Sequence, residues 1–220
     1  MTSGKLHLPQ YHLLQIDVGS RLFDEVLELR AVAYGRDEAG VRDAVDDYSL
    51  HFVAQSDQGL LGALRVTCRK HGPLESETYY PRWLLDEFGD RLCAASRMCV
   101  RPDLAAGSTI PLDLTKLGCS SVLPLGIRMD VSKVRVKAIP FYLRMGYYFV
   151  RESVFDFERW DAQCALIALP ANPNHPSKIA DVFHGISDPC DLAASPNSVR
   201  YTTSYREFVA AIQHHEHPED

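Results

Sequence analysis

Two stretches of this chain carry residue types that fit one reaction. Ala94 to Asp103 (A-A-S-R-M-C-V-R-P-D) reads as a strand entering a Gly-bearing turn, after which Leu104 to Ser108 (L-A-A-G-S) opens a helix. Further on, Pro140 to Tyr147 (P-F-Y-L-R-M-G-Y) places Tyr142 on a short helix closed by Gly146. A small-residue turn exposes helix N-terminal amides to an anion, and a phenol can protonate a departing sulfur. Together they are the parts needed to hold a phosphopantetheine thioester and to catch its leaving thiolate, and they predict an acyltransferase.

The elements that must position these residues can be read from periodicity. Leu22, Val26, Leu29 and Ala33 space a helix over 20–34, with Ser20 at its N-cap and Gly35 after its last turn. Residues 35–48 are charged and without period, which predicts a surface loop or broken helix. Leu50–Gln55 and Leu60–Arg69 flank Ser56-Asp57-Gln58-Gly59 as a hairpin. A short helix over Trp83–Phe88, a central strand over Cys93–Val100 and a helix over Thr109–Leu117 follow. A strand over Val122–Val131, interrupted by Pro124 and Gly126, comes next, and Tyr147–Phe155 with Cys164–Leu169 make a last antiparallel pair. This order predicts an α/β fold, a mixed sheet with helices on both faces. Beyond Pro170 the composition turns to Asn, Pro, His and Ser, so the expected organisation is a domain over 1–170 and an appendage over 171–220 with one helix, Tyr205–Ile212.

Composition narrows the classes. At 220 residues and 46% hydrophobic content the chain can bury a core, and no apolar run reaches the roughly 20 residues needed to span a bilayer. The first ten residues lack an apolar signal core, so a cytoplasmic location is expected. Six scattered cysteines without a C-x-x-C pair point to reduced, buried thiols rather than a metal or redox site. No metal is expected at His51 and His71, nor at the tail histidines His214, His215 and His217. A net charge of -6 argues against nucleic acid as a partner. Arg128, Lys133, Arg135, Lys137, Arg144 and Arg151, opposed only by Asp130, form a basic block: a solvated face, or a dock for the phosphates of coenzyme A or for an acidic carrier protein. Arg30, Arg65 and Arg97 lie in or beside apolar segments, where an unpaired guanidinium is costly. They should meet carboxylates, with Asp46 or Asp47 as partners, or clamp an amino acid carboxylate.

Four pieces stand in a familiar order: Arg30-x-x-x-Tyr34 in the first helix, Asp46-Asp47 before the first strand, Gly62-x-x-Arg65 in the hairpin, and Ser96-Arg97-Met98 in the central strand. With the Tyr142 stretch they resemble the GNAT acyltransferase superfamily. Within it, the chain is similar to acyl-homoserine lactone (autoinducer) synthases and N-acyl amino acid synthases. The resemblance implies a mixed, mostly antiparallel GNAT-like sheet. It implies that backbone amides at Met98, Cys99 and Val100 bind the thioester carbonyl and pantetheine arm, and that Ala105, Ala106, Gly107, Ser108 and Thr109 approach the pyrophosphate. Tyr142 takes the part of the tyrosine that protonates sulfur. Arg30, Tyr34, Arg65 and Arg97 belong to the substrate side, and Glu38, Asp46 and Asp47 offer carboxylates for a general base, Glu38 and Asp47 being the two assigned to it. Two departures stand out. Ala95 occupies the position where autoinducer synthases carry Glu, which speaks against homoserine lactone synthesis. The pyrophosphate loop has Gly107 alone among small residues, which speaks for a carrier-protein donor.

The expected activity is transfer of an acyl chain from an acyl carrier protein or coenzyme A thioester to the amine of an amino acid or similar small molecule. The thioester is a co-substrate, and no covalently bound cofactor is expected. An acetyl-coenzyme A N-acetyltransferase and a non-catalytic, acyl-thioester-binding regulator are the alternatives.

Overall fold

The computed structural model describes residues 10–35, 40–104 and 107–216. They fall into two compact units, one formed by Met1–Val66 with Arg97–Gly118 and the other by Thr67–Ser96 with Cys119–Asp220.

In the first unit the expected hairpin forms. Strands β2 (Leu50–Ser56) and β3 (Gly59–Cys68) pair antiparallel from Leu50↔Val66 to Ser56↔Gly59. A strand not expected from the sequence, β1 (His12–Ile16), pairs with β2 from His12↔Gln55 to Ile16↔His51. Helix α1 (Arg21–Tyr34) buries Val26 and Leu29 against Val53, Ala63 and Cys99, each such side chain contributing about 1.5–3 kcal/mol. Gly35 ends it in the left-handed conformation, as expected. Ser20 stands at the N-cap, but its hydroxyl donates to the Asp17 carbonyl at 2.6 Å instead of accepting from the first turn. Helix α3 (Ile110–Val122) begins in this unit. Gly62 lets it approach: a Cβ there would stand 2.7 Å from Ile110 Cγ2 and 3.2 Å from the Cys99 carbonyl.

In the second unit, helix α2 (Arg82–Phe88) packs Leu84 and Phe88 onto Leu92, Met129, Val131, Leu166 and Ala168. Strand β4 (Leu92–Val100) enters here and pairs parallel with β5 (Met129–Arg135) through Leu92↔Met129 and Cys93↔Asp130. β5 runs antiparallel to β8 (Ala162–Pro170) from Met129↔Pro170 to Arg135↔Cys164. Strands β6 (Tyr148–Val150) and β7 (Phe155–Phe157) also pair antiparallel with β8, and β9 (Tyr201–Thr202) pairs with β6. Helices α4 (Ile139–Met145) and α5 (Tyr205–Glu216) complete the unit. Residues 171–216 pack on it closely. Leu192 and Tyr201 join its core, and Glu87 accepts from Ser195 Oγ at 2.6 Å and from Asn197 Nδ2 at 2.8 Å.

The described strands make a mixed, mostly antiparallel sheet ordered β1-β2-β3-β4-β5-β8-β6-β9, with β7 beside β8. The expected strand over Val122–Val131 is corrected. Val122 ends α3, Leu123–Leu125 forms a 3-10 turn around Pro124, Gly126 is left-handed, and β5 begins only at Met129. The run is apolar enough for a strand, but Pro124 cannot donate to a ladder and the turn absorbs it.

Candidate functional site

Within the first unit, an ion-pair cluster assembles from α1, the turn before β2, and strands β3 and β4. Arg30 Nη1 lies 2.9 Å from Asp46 Oδ1, and Arg65 Nη1 lies 2.6 Å from Asp43 Oδ1 and 3.1 Å from Asp46 Oδ1. Arg97 Nη2 pairs with Asp43 Oδ2. Arg30, Arg65 and Asp46 have no solvent exposure. Asp43 is the partner that the sequence reading did not single out among five nearby acids. Its signal was local: it caps the 3-10 segment Ala44–Tyr48, accepting from Val45 N at 3.1 Å while Asp46 Oδ2 accepts from Asp43 N at 3.0 Å. Burial raises the Asp43 carboxyl, but Arg65 and Arg97 outweigh it and hold the group at about 2. For Asp46, too, Arg30 and Arg65 overcome burial and lower the pKa. His51 is buried, its Nε2 donates to the Asp46 carbonyl at 2.9 Å, and burial keeps it neutral by lowering its pKa.

Asp47 stands apart from this cluster, exposed and paired with Arg42 at 3.1 Å. Glu38 lies outside the described residues. Arg97 has φ +53, a left-handed residue in the middle of β4, and the Tyr34 hydroxyl donates to the next carbonyl, Met98, at 3.2 Å. Such a backbone costs on the order of 1–3 kcal/mol unless its surroundings fix it, and the Asp43 ion pair and the Tyr34 bond do so here. Cys99 is buried with its thiol pushed up to about 11 by burial, so it is a packing residue rather than a nucleophile.

Of the residues expected at a pyrophosphate, Ala105 and Ala106 lie outside the described residues, and Gly107 has φ +81. Ser108 Oγ accepts from Ile110 N at 3.1 Å, and Thr109 Oγ1 donates to Asp113 Oδ2 at 2.9 Å, an acid that also receives the Tyr11 hydroxyl at 2.5 Å. The first turn of α3 therefore already carries a carboxylate.

Within the second unit, α4 presents Tyr142. Among the described residues its hydroxyl has no hydrogen-bond partner; its ring meets Phe141 and Tyr147 edge-on at 5.2 and 5.4 Å. Burial, then the nearby Asp130 carboxylate, push the phenol up to about 12, so it is a proton-bearing acid at neutral pH. Gly146 ends the helix at φ +101, and Ser177 packs directly on it. His175 Nε2 donates to the Gly146 carbonyl at 2.5 Å, and Lys178 N donates to Met145 O at 3.2 Å. Asp130, which the sequence reading treated only as a counter-charge, is a buried carboxylate that accepts from Ala95 N at 2.9 Å, Ser132 Oγ at 2.8 Å and Tyr147 Oη at 2.9 Å. Burial raises its pKa against these hydrogen bonds.

The basic block is dispersed. Lys133 Nζ is buried between the Phe157 and Trp160 rings, 3.4 and 4.1 Å from their centroids, and 3.7 Å from Glu75. Arg128 faces Asp188 and Arg151 pairs with Glu207. Arg135, Lys137 and Arg144 remain exposed, with Phe141 exposed on the same short helix as Arg144. Among the described residues there is no cluster of metal-ligating side chains and no helix long and apolar enough to cross a membrane.

A sequence profile of the FeeM N-acyl amino acid synthase family matches residues 25–170. The chain belongs to this family. It is thereby an acyltransferase, and the resemblance read from the Arg, Asp and Tyr motifs is shown at family level. No curated protein matches the sequence. The FeeM N-acyl amino acid synthase from uncultured soil microbes superposes with a TM-score of 0.58 at 13% identity, over 73% of this chain and 92% of that one. The coenzyme A-dependent acyl-homoserine lactone synthase BjaI gives 0.53 at 16% identity over 80% and 88%, and Escherichia coli ElaA gives 0.52 at 14% over 72% and 99%. The FeeM-family chain thus has the GNAT-like fold that was expected.

Proposed function

We propose that this FeeM-family protein is an N-acyltransferase that moves an acyl chain from a coenzyme A or acyl carrier protein thioester to the amine of an amino acid or similar small molecule. The observation that carries the reading is the Tyr142 hydroxyl, unpartnered among the described residues and protonated at neutral pH, on a short helix locked at Gly146. Expulsion of a thiolate needs such an acid. Amides at Met98, Cys99 and Val100 would receive the thioester carbonyl, and the turn at Ala105–Thr109 the pyrophosphate or the phosphopantetheine phosphate. Arg97 and Tyr34 would line the acceptor side. Arg30 and Arg65 would serve it through Asp43 and Asp46, and Glu38 or Asp47 would supply the base. Lys137 and Arg144 around Phe141 offer charge to coenzyme A phosphates or to an acidic carrier. Residues 1–170 would form the transferase domain and 171–220 an appendage, within which His175, Ser177 and Lys178 brace the end of α4.

The test is release of free thiol from acyl-coenzyme A and acyl carrier protein thioesters of graded chain length, with and without amino acids. Amino-acid-dependent thiol release with a medium or long chain supports the reading. Turnover with acetyl-coenzyme A alone, or none with any chain length, refutes it.

A further inference from the structure

The β4–β5 ladder ends at Cys93↔Asp130, and side chains occupy its next rung. Extending the register by one pair, Ala94 with Val131, would aim the Ala95 N–H at the Val131 carbonyl, the slanted bond of a parallel ladder. Both groups are taken. The Ala95 N–H donates to Asp130 Oδ1 at 2.9 Å, and the Val131 carbonyl accepts the Tyr80 hydroxyl at 2.6 Å. Asp130 is held in place from behind by Ser132 Oγ on Oδ1 and by Tyr147 Oη on Oδ2. Asp130, Tyr80 and Tyr147 are all buried. An apolar strand residue would let the backbone pair with itself. A buried carboxylate offset by hydrogen bonds alone is a costly alternative, so its presence needs a reason.

We propose that Asp130 is a positioning residue for acyl transfer: with Tyr80 it keeps β4 and β5 from pairing beyond Cys93, so that an extended thioester arm can lie along β4. This rests on the thioester-dependent reading above. The same carboxylate fixes the Tyr147 ring, against which the Tyr142 ring packs edge-on, so one group sets both the opening and the packing of the proton donor.

The test compares Asp130→Asn, Asp130→Val and Tyr80→Phe with the unaltered full chain, using decanoyl-coenzyme A as donor and the best amino acid acceptor. KM is measured separately for donor and acceptor, and hydrogen exchange is followed at the Ala95 amide. Asn keeps an acceptor for Ala95, so its donor KM should stay within about threefold, whereas Val should raise donor KM about tenfold or more with acceptor KM unchanged. Tyr80→Phe should move donor KM in the same direction by a smaller factor, and it carries the test if the Val variant does not fold. Ala95 exchange should change with Val and hold with Asn. Unchanged donor KM in both Asp130→Val and Tyr80→Phe, or a fall in kcat alone that tracks lost folded protein, overturns the proposal. Absence of turnover in the unaltered chain would sink the acyl-transfer reading instead, while Ala95 exchange still decides whether Asp130 holds the strands apart.

Discussion

Arg65 Nη1 lies 2.6 Å from Asp43 Oδ1, and both groups sit in a cluster that also holds Arg30, Asp46 and Arg97. One guanidinium therefore serves two carboxylates inside the protein. Removing a single partner leaves an uncompensated buried charge, so Asp43→Ala should cost about 3–5 kcal/mol by urea unfolding. Asp43→Asn should cost less, because the amide still accepts one bond.

The same pair makes a pH prediction. Asp43 titrates at about 2 in the folded chain against an ordinary 3.8, so the folded state holds the charged form more strongly than the unfolded state does. Its contribution, about 2 kcal/mol, is fully present above pH 4 and is lost as pH falls through about 2. The melting temperature should drop between pH 4 and pH 2, and the drop should be smaller in Asp43→Asn. An equal drop in both would remove Asp43 as its source.

Tyr142→Phe should lower kcat by about a hundredfold with donor KM little changed, since it removes a proton donor and leaves the ring contacts. Because the phenol titrates at about 12, the unaltered enzyme should show no alkaline loss from this group up to about pH 10. An alkaline limb near pH 8 that vanishes in Tyr142→Phe would contradict that assignment.

Gly146→Ala tests the bracing of α4. A Cβ at this position would meet Ser177 Cβ at 2.3 Å and Ser177 Cα at 2.6 Å, on a backbone with φ +101. The strain and the clash should together cost at least about 2 kcal/mol by urea unfolding. Ser177→Gly removes the nearer atom but relieves neither the crowding by the Ser177 backbone nor the φ strain, so the double variant should recover only part of the loss.

What could be read in advance follows from how local each signal is. The hairpin, α1, α2 and α4 announce themselves through alternation, helical spacing and a glycine after the last turn, all of which lie within a few residues. β1 is five residues long and largely exposed at the sheet edge, and β9 is two residues long, so neither carries a period. The buried arginines were legible because a guanidinium in an apolar run demands a carboxylate. Which acid answers was not legible, because Asp43 and Asp46 are selected by a 3-10 cap while their neighbour Asp47 turns to solvent. Asp130 gave little signal, since Met129–Val134 alternates apolar Met129, Val131 and Val134 with polar Asp130, Ser132 and Lys133, and its partners Ala95 and Tyr147 are brought to it only by the tertiary fold.

Gly62, in the Gly62-x-x-Arg65 motif, shows the difference between a tight position and a forgiving one within the first unit. A Cβ there would lie 2.7 Å from Ile110 Cγ2 and 3.2 Å from the Cys99 backbone carbonyl, and the carbonyl cannot rotate away. At Gly118 the nearest atoms are side-chain methyls, Val66 Cγ2 at 3.0 Å and Leu64 Cδ2 at 3.2 Å, which can shift. Gly62→Ala should therefore cost about 1–3 kcal/mol by urea unfolding, and Gly118→Ala less, because the latter also gains helix propensity of about 1 kcal/mol. Because the Cys99 carbonyl is among the crowded atoms, a donor held along Met98–Val100 as proposed should have its KM raised by Gly62→Ala and left unchanged by Gly118→Ala. The reverse order of the two costs would mean that β3 and α3 do not approach as closely as their glycines allow.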